Sequence, residues 1–304
     1  MNLTINKFPF LLLILMALAC QTIMPVPTAT PLVEPTQTNT PITTPTPILT
    51  PTEIPAPIGE LSYSDRPDNH PDKYQIHVLY VVPNGFNDTE RYFDGSIDES
   101  MELMNEWFAE QTSGRSFILD TYQGNLDITY IPLPVTEDEI LEYAKNEYGK
   151  YDLEVDGTRF LSEAMEDYIY QMKEFPLKPR KLYVAYFEIS QAYTCGWSQS
   201  GKGYLIAKVF PSAYSVRDKI DCIDYLWENV IAHEIIHLLG FPSSYSCFSH
   251  PDDDGAHVFD PETPDDILRG GVYSENPVLD PNHDDYYLID KPCLDLADTP
   301  YLSP

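Results

Sequence analysis

The sequence predicts a mixed α+β domain that follows an export signal and an extended linker. Three features indicate this: a short apolar run near the start, a Pro- and Thr-rich stretch without aromatic residues, and segments beyond residue 60 with strand-like and helix-like apolar spacing. The chain has 304 residues, 43% apolar and 12% aromatic, so it can build a core. Its net charge of −30 disfavours phosphate backbones and anionic lipid heads, so no nucleic-acid partner is expected.

Residues 1–19 are predicted to be a signal peptide. The apolar run at 8–19 is twelve residues long. A membrane-spanning helix needs about 20 residues, so the run is typical of an export signal. A small-x-small cleavage pattern, Ala17-Leu18-Ala19, is followed at once by Cys20. This arrangement resembles a bacterial lipoprotein signal, which implies lipidation of Cys20 and attachment to the outer face of the cell membrane. Simple secretion is the alternative.

Residues 20–59 are predicted to be a disordered stalk. Positions 21–58 hold ten Pro and eleven Thr, with no aromatic residue and no Gly. Such a segment cannot bury enough surface to fold, and proline stiffens it toward polyproline II. At about 3.1 Å per residue the stalk could reach on the order of 100 Å.

Residues 60–304 are predicted to form the folded part as one unit. Apolar spacing and turn residues assign its elements. Strands are expected at Tyr74–Val82, at Ser116–Tyr122 and Asp127–Leu133 joined through Gly124-Asn125, and at Leu182–Ile189 and Gly203–Phe210. Helices are expected at Ile97–Gln111, Glu137–Tyr148, Thr158–Phe175 and Ile223–Leu239. After Gly240 the patterning fades, and an irregular C-terminal third is expected.

The last of these helices carries the motif His233-Glu234-x-x-His237. Two histidines four residues apart leave the same helix face, and two neutral imidazoles at that spacing can bind one Zn²⁺. Zinc lowers the pKa of a bound water toward about 7, and Glu234 is placed to take its proton without being a ligand. Because this helix is apolar nearly all round, the motif is expected to be buried and satisfied.

With Gly240 the motif extends to HExxHxxG, which resembles the metzincin clan of zinc peptidases. The resemblance implies a zincin-like, two-lobed catalytic domain with a mixed sheet, an HExxH helix and an irregular C-terminal lobe. It also implies a third ligand three residues past the glycine, where this chain has Ser243. Asp265–Gly271 is similar to the methionine-containing turn of that clan, with Leu268 in the methionine position.

The third zinc ligand is therefore sought later in the chain. His257 is favoured because it follows a flexible Gly-Ala pair, and His250 and Asp254 are the alternatives. The acidic run Asp252–Asp254 is expected to be a solvated loop, with a Ca²⁺ site as the minority interpretation.

Two further roles follow from the same resemblance. Tyr286 or Tyr287 could donate a hydrogen bond to a developing oxyanion, although packing is the commoner role for tyrosine in this chain. Gly203–Phe210 would be the edge strand that pairs with an extended substrate.

Five cysteines fit an exported protein. With Cys20 lipidated, four remain, and the expected disulfides are Cys195–Cys222 and Cys247–Cys293.

The leading hypothesis is an exported, surface-tethered zinc endopeptidase acting on protein or peptide substrates. The first alternative is an inactive zincin-fold binding module, motivated by the departures at Ser243 and Leu268. The second is a metal-dependent hydrolase of a non-peptide amide or ester.

Overall fold

The computed structural model describes most of the chain from residue 62 onward. The described residues are 62–88, 90–148, 157–171, 178–198, 206–215, 217, 219–224, 226–241, 257–259, 261–269, 274, 276–290 and 292–303. Among them, no helix combines the length and apolarity that a membrane span requires. The predicted signal peptide, Cys20 and the stalk lie outside this part of the chain and stay predictions.

The described part contains five α-helices and twelve strands. The helices are α1 (Arg91–Asp94), α2 (Ser96–Gln111), α3 (Glu137–Tyr148), α4 (Gly157–Gln171) and α5 (Trp227–Leu238). The longer strands are β1 (Gln75–Val82), β5 (Ile128–Pro132), β6 (Lys181–Phe187) and β9 (Ile206–Val209). The two-residue strands are β2 (Ser116–Phe117), β3 (Thr121–Tyr122), β4 (Asn125–Leu126), β7 (Gln191–Ala192), β8 (Gly196–Trp197), β10 (Tyr214–Ser215), β11 (Ile220–Asp221) and β12 (Leu302–Ser303).

A five-stranded mixed sheet in the order β5-β1-β6-β9-β8 forms the centre. The first four strands are parallel, and β8 pairs antiparallel with β9 at the edge. Every residue of β1 and β6 is buried. Apart from Gln75, His77 and Lys181 near their amino-terminal ends, both strands are apolar or aromatic throughout rather than alternating, because helices cover both faces of the sheet.

Alternate residues of β1 enter two different apolar clusters. Ile76, Val78 and Tyr80 face one cluster, which also contains buried residues of α2 and α5. Leu79 and Val81 face the other, which contains buried residues of α3 and α4. The sheet therefore lies between two helical layers, and α5 belongs to the same layer as α2.

The described C-terminal segment has little regular structure and is held by α2 and by carboxylates. On α2, the Trp107 indole donates to the Pro277 carbonyl (3.0 Å), and the Gln111 side chain accepts from the Leu279 N–H (3.1 Å). The Asp280 carboxylate accepts from the backbone N–H groups of residues 284–287 at 2.7–3.4 Å. Strand β12 pairs with β2. The mixed α and β content is confirmed, and the described residues after Gly240 have little regular structure, as expected.

Strands are present within both predicted ranges, Ser116–Tyr122 and Asp127–Leu133, but they do not pair with each other. The first range is divided between β2, which pairs with the C-terminal β12, and β3, which forms a two-residue hairpin with β4. The second range contains β5, which joins the central sheet in parallel with β1. The chain turns at Gln123 and Gly124, both at positive φ (53° and 89°), one residue before the Gly-Asn pair that suggested the turn.

The strand predicted at Gly203–Phe210 is present, but its predicted edge position is wrong. Its described core, β9, lies inside the sheet between β6 and β8. The edge belongs to β8, which is too short for periodicity to reveal it. The metal-motif helix begins at Trp227 rather than Ile223, because Cys222–Asp224 forms a 3₁₀ turn first.

The predicted Cys195–Cys222 disulfide is present, and both cysteines are buried. It joins the residue before β8 to the turn that leads into α5. Cys293 is disulfide-bonded as well. Its expected partner Cys247 lies outside the described residues, so that pairing stays a prediction.

Removing the described disulfide is expected to destabilise the fold. The bridge spans 27 residues of sequence. By the chain-entropy relation, the double variant C195A/C222A should lose roughly 3–4 kcal/mol in the free energy of unfolding. Urea denaturation measures this. Repeating the measurement on the variant in the presence of a disulfide-reducing thiol isolates the contribution of the remaining cysteines. A loss below about 1 kcal/mol would contradict the structural role.

Candidate metal centre

Helix α5 places His233 and Glu234 in the core and His237 at a half-buried position one turn further on. Its apolar residues pack against α2 and the sheet, so the helix is buried around most of its circumference. His233 and Glu234 are each only 4% exposed. Polar side chains this deeply buried are costly unless each has a specific partner.

The end of α5 supplies the first partner. Gly240 takes a left-handed conformation (φ 101°), which glycine adopts without a side-chain clash. The chain reverses there, and the Phe241 carbonyl accepts a hydrogen bond from His237 Nδ1 at 2.8 Å. The glycine of the motif therefore orients the second histidine.

A turn at residues 265–269 supplies the partner of His233. The Ile267 carbonyl accepts from His233 Nδ1 at 2.6 Å. The Asp266 carboxylate holds this turn, because it accepts from the Leu268 N–H (2.7 Å) and from the Tyr286 hydroxyl (2.9 Å). Leu268, the residue in the methionine position, is fully buried in the same core as α5.

The same turn positions His257. The N–H of the next residue, Val258, donates to the Leu268 carbonyl at 2.9 Å. The His257 ring lies 5.4 Å from the His233 ring and 5.1 Å from the His237 ring, centroid to centroid. One ring nitrogen from each of the three histidines lies within 4.8 Å of the others. The structure thus brings the favoured third residue to the motif helix.

The nitrogen atoms that converge fit a metal ion. A carbonyl can only accept, so Nδ1 of both His233 and His237 must donate, which leaves Nε2 with a lone pair in the neutral rings. These two Nε2 atoms lie 2.9 Å apart. Two lone pairs at that distance repel unless a cation lies between or beside them, and a backbone carbonyl on the far nitrogen is the usual support of a metal-bound histidine.

Electrostatics keep His233 neutral. Burial lowers the pKa of His233 well below its usual value, and the neighbouring His237 and His257 lower it further. A neutral imidazole is the form that binds a metal.

The side chain of Glu234 extends from α5 toward strand β8. Ser198 Oγ donates to Glu234 Oε2 at 2.8 Å. Gly196 lies so close to the helix that a Cβ atom there would stand 2.6 Å from Val230 and 2.8 Å from Glu234 Oε1. Burial raises the pKa of Glu234 to about 7, and the hydrogen bond from Ser198 opposes the rise. A carboxyl group with this pKa can both accept and return a proton near neutral pH.

The tyrosines suggested for oxyanion stabilisation are buried in the core. The Tyr286 hydroxyl donates to Asp266 and accepts from the Asp280 N–H (3.1 Å), and its ring is fully buried. Tyr287 is 3% exposed and packs in the same cluster. These contacts place Tyr286 behind the turn that supports His233, where it serves the site as a structural residue.

Several predicted positions lie outside the described residues. These are the alternative ligands His250 and Asp254, the acidic run Asp252–Asp254 with its suggested Ca²⁺ site, and Ser243.

A second group of potential ligands lies at the amino-terminal ends of β1 and β6. It comprises Asp65, His77, Asp120 and Asp127. Cations of the chain already occupy it: the Lys181 ammonium contacts Asp65 (2.8 Å) and Asp120, and Arg66 pairs with Asp127 (2.5 Å). These contacts indicate a buried ion-pair network that fixes the segment before β1, rather than a metal site.

Sequence reasoning missed Gly196 and Ser198, and it named the turn that contains Asp266 without assigning a role to that carboxylate. No local motif marks Gly196 or Ser198, because Ser198 is 36 residues from Glu234 in sequence. The signal that could have found the first two is the predicted Cys195–Cys222 pair, since Cys195 is adjacent to Gly196 and Cys222 lies five residues before α5.

The chain matches no protein-family model and no curated protein sequence. Among solved structures it is similar to a catalytically inactive OgpA from Akkermansia muciniphila in complex with an O-glycopeptide, glycodrosocin, at 13% identity and a TM-score of 0.34. It is also similar to wild-type OgpA from the same organism, at 14% identity and a TM-score of 0.31.

The two alignments cover 64% and 60% of this chain and 52% and 50% of those chains, so this chain spans about half the length of the structures it matches. At these values neither the fold nor the activity of this chain follows from the likeness.

The buried Asp266 gives the site a pH-dependent stability. Burial, together with the charges of Asp280 and Asp285, raises the pKa of Asp266 from 3.8 to about 7 in the folded protein. The stability that protonated Asp266 contributes to the fold is therefore fully present below about pH 4 and is lost as pH rises toward about 7. Asp266→Asn keeps an acceptor oxygen and cannot ionise. In metal-free protein, the free energy of unfolding of Asp266→Asn minus that of the parent should rise by on the order of 2–4 kcal/mol as the pH goes from 4 to 8.

Urea denaturation across that pH range measures the difference. The neighbouring Asp265, an exposed residue of the same turn, provides the matched control as Asp265→Asn. A difference between Asp266→Asn and the parent that stays constant from pH 4 to pH 8 would count against the assignment.

Proposed function

We propose that this protein is an exported zinc-dependent endopeptidase with a zincin-like catalytic domain. The observation that carries the proposal is the convergence of three imidazoles, two of them on the buried helix that also carries Glu234. Three nitrogen ligands with an open fourth position are typical of catalytic zinc, whereas structural zinc sites are usually closed by four protein ligands.

His233, His237 and His257 would hold the ion. Zinc, when bound, would supply a Lewis acid that polarises the scissile carbonyl and acidifies a water molecule. Glu234 accepts the proton of the attacking water on its carboxylate and then delivers it to the leaving amine. The Phe241 and Ile267 carbonyls keep the two motif histidines in the tautomer that presents Nε2.

The location proposed with this activity is the outer face of the cell membrane. Export would precede lipidation of Cys20, and the Pro- and Thr-rich stalk would hold the domain away from the surface. The disulfides agree with an oxidising compartment.

One observation favours a second function. Leu268 replaces the methionine of the metzincin turn, which is compatible with a zincin-fold module that binds rather than cleaves. The buried Glu234 argues against this, because a binding module has no need of a buried carboxylate on the helix that carries two of the three imidazoles.

Metal content tests the ligand set. Protein comprising residues 21–304 is expected to hold about one zinc per chain, and His257→Ala should fall below about 0.2, because two protein ligands hold zinc poorly. Elemental mass spectrometry after dialysis measures this.

His283→Ala is the matched control, since His283 is exposed and lies outside the three-histidine cluster. Full zinc in His257→Ala would move the third ligand to another residue.

Hydrolysis tests the role of Glu234. Glu234→Ala should keep its zinc and lose roughly 10²–10⁴-fold in kcat/KM on a fluorescence-quenched peptide library. Glu228→Ala, on the first turn of the same helix, is the control and should match the parent.

Simple amide and ester probes in the same assay separate a peptidase from a hydrolase of non-peptide substrates. Peptide cleavage by Glu234→Ala at the parent's rate would refute the mechanism. A zinc-loaded parent that cleaves no probe would favour the binding module.

A further inference from the structure

Ser198 makes a specific contact with the carboxylate of Glu234. Its hydroxyl donates to Oε2 at 2.8 Å, and its backbone N–H contacts the same carboxylate. The two residues come from different elements, because Ser198 directly follows edge strand β8 and Glu234 lies on α5. A hydrogen bond to an ionised carboxylate is among the stronger polar contacts in a protein.

Two features force β8 against the helix at this point. Gly196 has no room for a Cβ atom between Val230 and Glu234, so the strand backbone approaches α5 more closely than any other residue would allow. The Cys195–Cys222 disulfide then ties the start of β8 to the turn before α5. Both features act within three residues of Ser198.

We propose that Ser198 is a positioning residue for Glu234. This inference rests on the function proposed above. A glutamate side chain has several rotatable bonds, and catalysis by a general base depends on holding it in one arrangement. Ser198 fixes Oε2, so the proton taken from water goes to Oε1, beside which residue 196 presents no side chain. Ser198 gives up no proton, because its hydroxyl hydrogen stays on Oγ throughout.

Kinetics of Ser198→Ala and Ser198→Thr form the first test, with zinc-loaded protein 21–304 and the fluorescence-quenched peptide library. In Ser198→Ala, kcat should fall roughly 10- to 100-fold, because the carboxylate loses the donor that orients it. KM should stay within about twofold, because Ser198 acts on the base rather than on substrate. Zinc content should not change.

Ser198→Thr keeps the hydroxyl and should return kcat to within about threefold of the parent. Ser215→Ala is the matched control. It removes another serine hydroxyl that donates within the domain, to the Tyr193 carbonyl (3.0 Å). It should leave kcat unchanged.

A second test needs no activity and no metal. In zinc-free protein, Ser198→Ala should shift the urea midpoint of the parent, and the shift should vanish when the substitution is made in Glu234→Ala. Non-additivity of this kind isolates the Ser198–Glu234 contact from a general packing effect of the serine.

The outcomes separate this proposal from the proposed function. If the zinc-loaded parent cleaves peptides and Ser198→Ala retains the parent's kcat, the positioning role is refuted and the peptidase stands. Equal urea shifts in the parent and in Glu234→Ala would also refute it. If the zinc-loaded parent cleaves no peptide, the proposed function fails, and the positioning role falls with it.

Discussion

Two histidine rings of this protein, one buried and one half-buried, turn their Nε2 atoms toward each other, and a third ring lies against them. The facing lone pairs repel each other without a cation, so the neighbouring residues must hold the rings in place. A continuous chain of hydrogen bonds does so: the Asp280 N–H donates to the Tyr286 hydroxyl, which donates to Asp266, whose turn presents the Ile267 carbonyl to His233. The described C-terminal segment, although it has little regular structure, thus orients the His233 ring.

Local patterns in the sequence were sufficient for the elements with long apolar periodicity. The spans of β1, α2 and α3 agree with the expectation within a residue or two, because their apolar spacing is set by burial against the sheet. The metal-motif helix and the helix-ending glycine were predictable for the same reason. A motif within one helix carries its own geometry, so His233, Glu234 and His237 could be named together.

Contacts between distant parts of the chain were not predictable in this way. The pairing of β2 with β12 joins residues nearly 190 apart in sequence, and no local pattern records it. The roles of Ser198 and Asp266 were not predictable for the same reason, because each residue acquires its role only when a separate segment packs beside it. His257 was accessible only as one of several candidates, because its distance from the motif departs from the metzincin spacing.

Three of the positive charges of the chain lie inside the fold rather than on its surface. The chain has 18 lysines and arginines against 48 acidic residues. Three of these cations are used inside the fold: Arg91 pairs with Glu188, Lys181 with Asp65 and Lys208 with Glu166. The side chains of these three cations are at most 7% exposed. Buried ion pairs of this kind fix geometry more than they add stability.

The position of the Cys195–Cys222 bridge has a consequence for the timing of maturation. Thiols stay reduced in the cytosol, so the bridge forms only in an oxidising compartment. Until then, nothing covalent keeps β8 against the metal-motif helix. For an exported chain, the geometry around Glu234 would thus be completed outside the cytosol, and the proteins of the producing cell would be exposed only to the reduced, unfinished form.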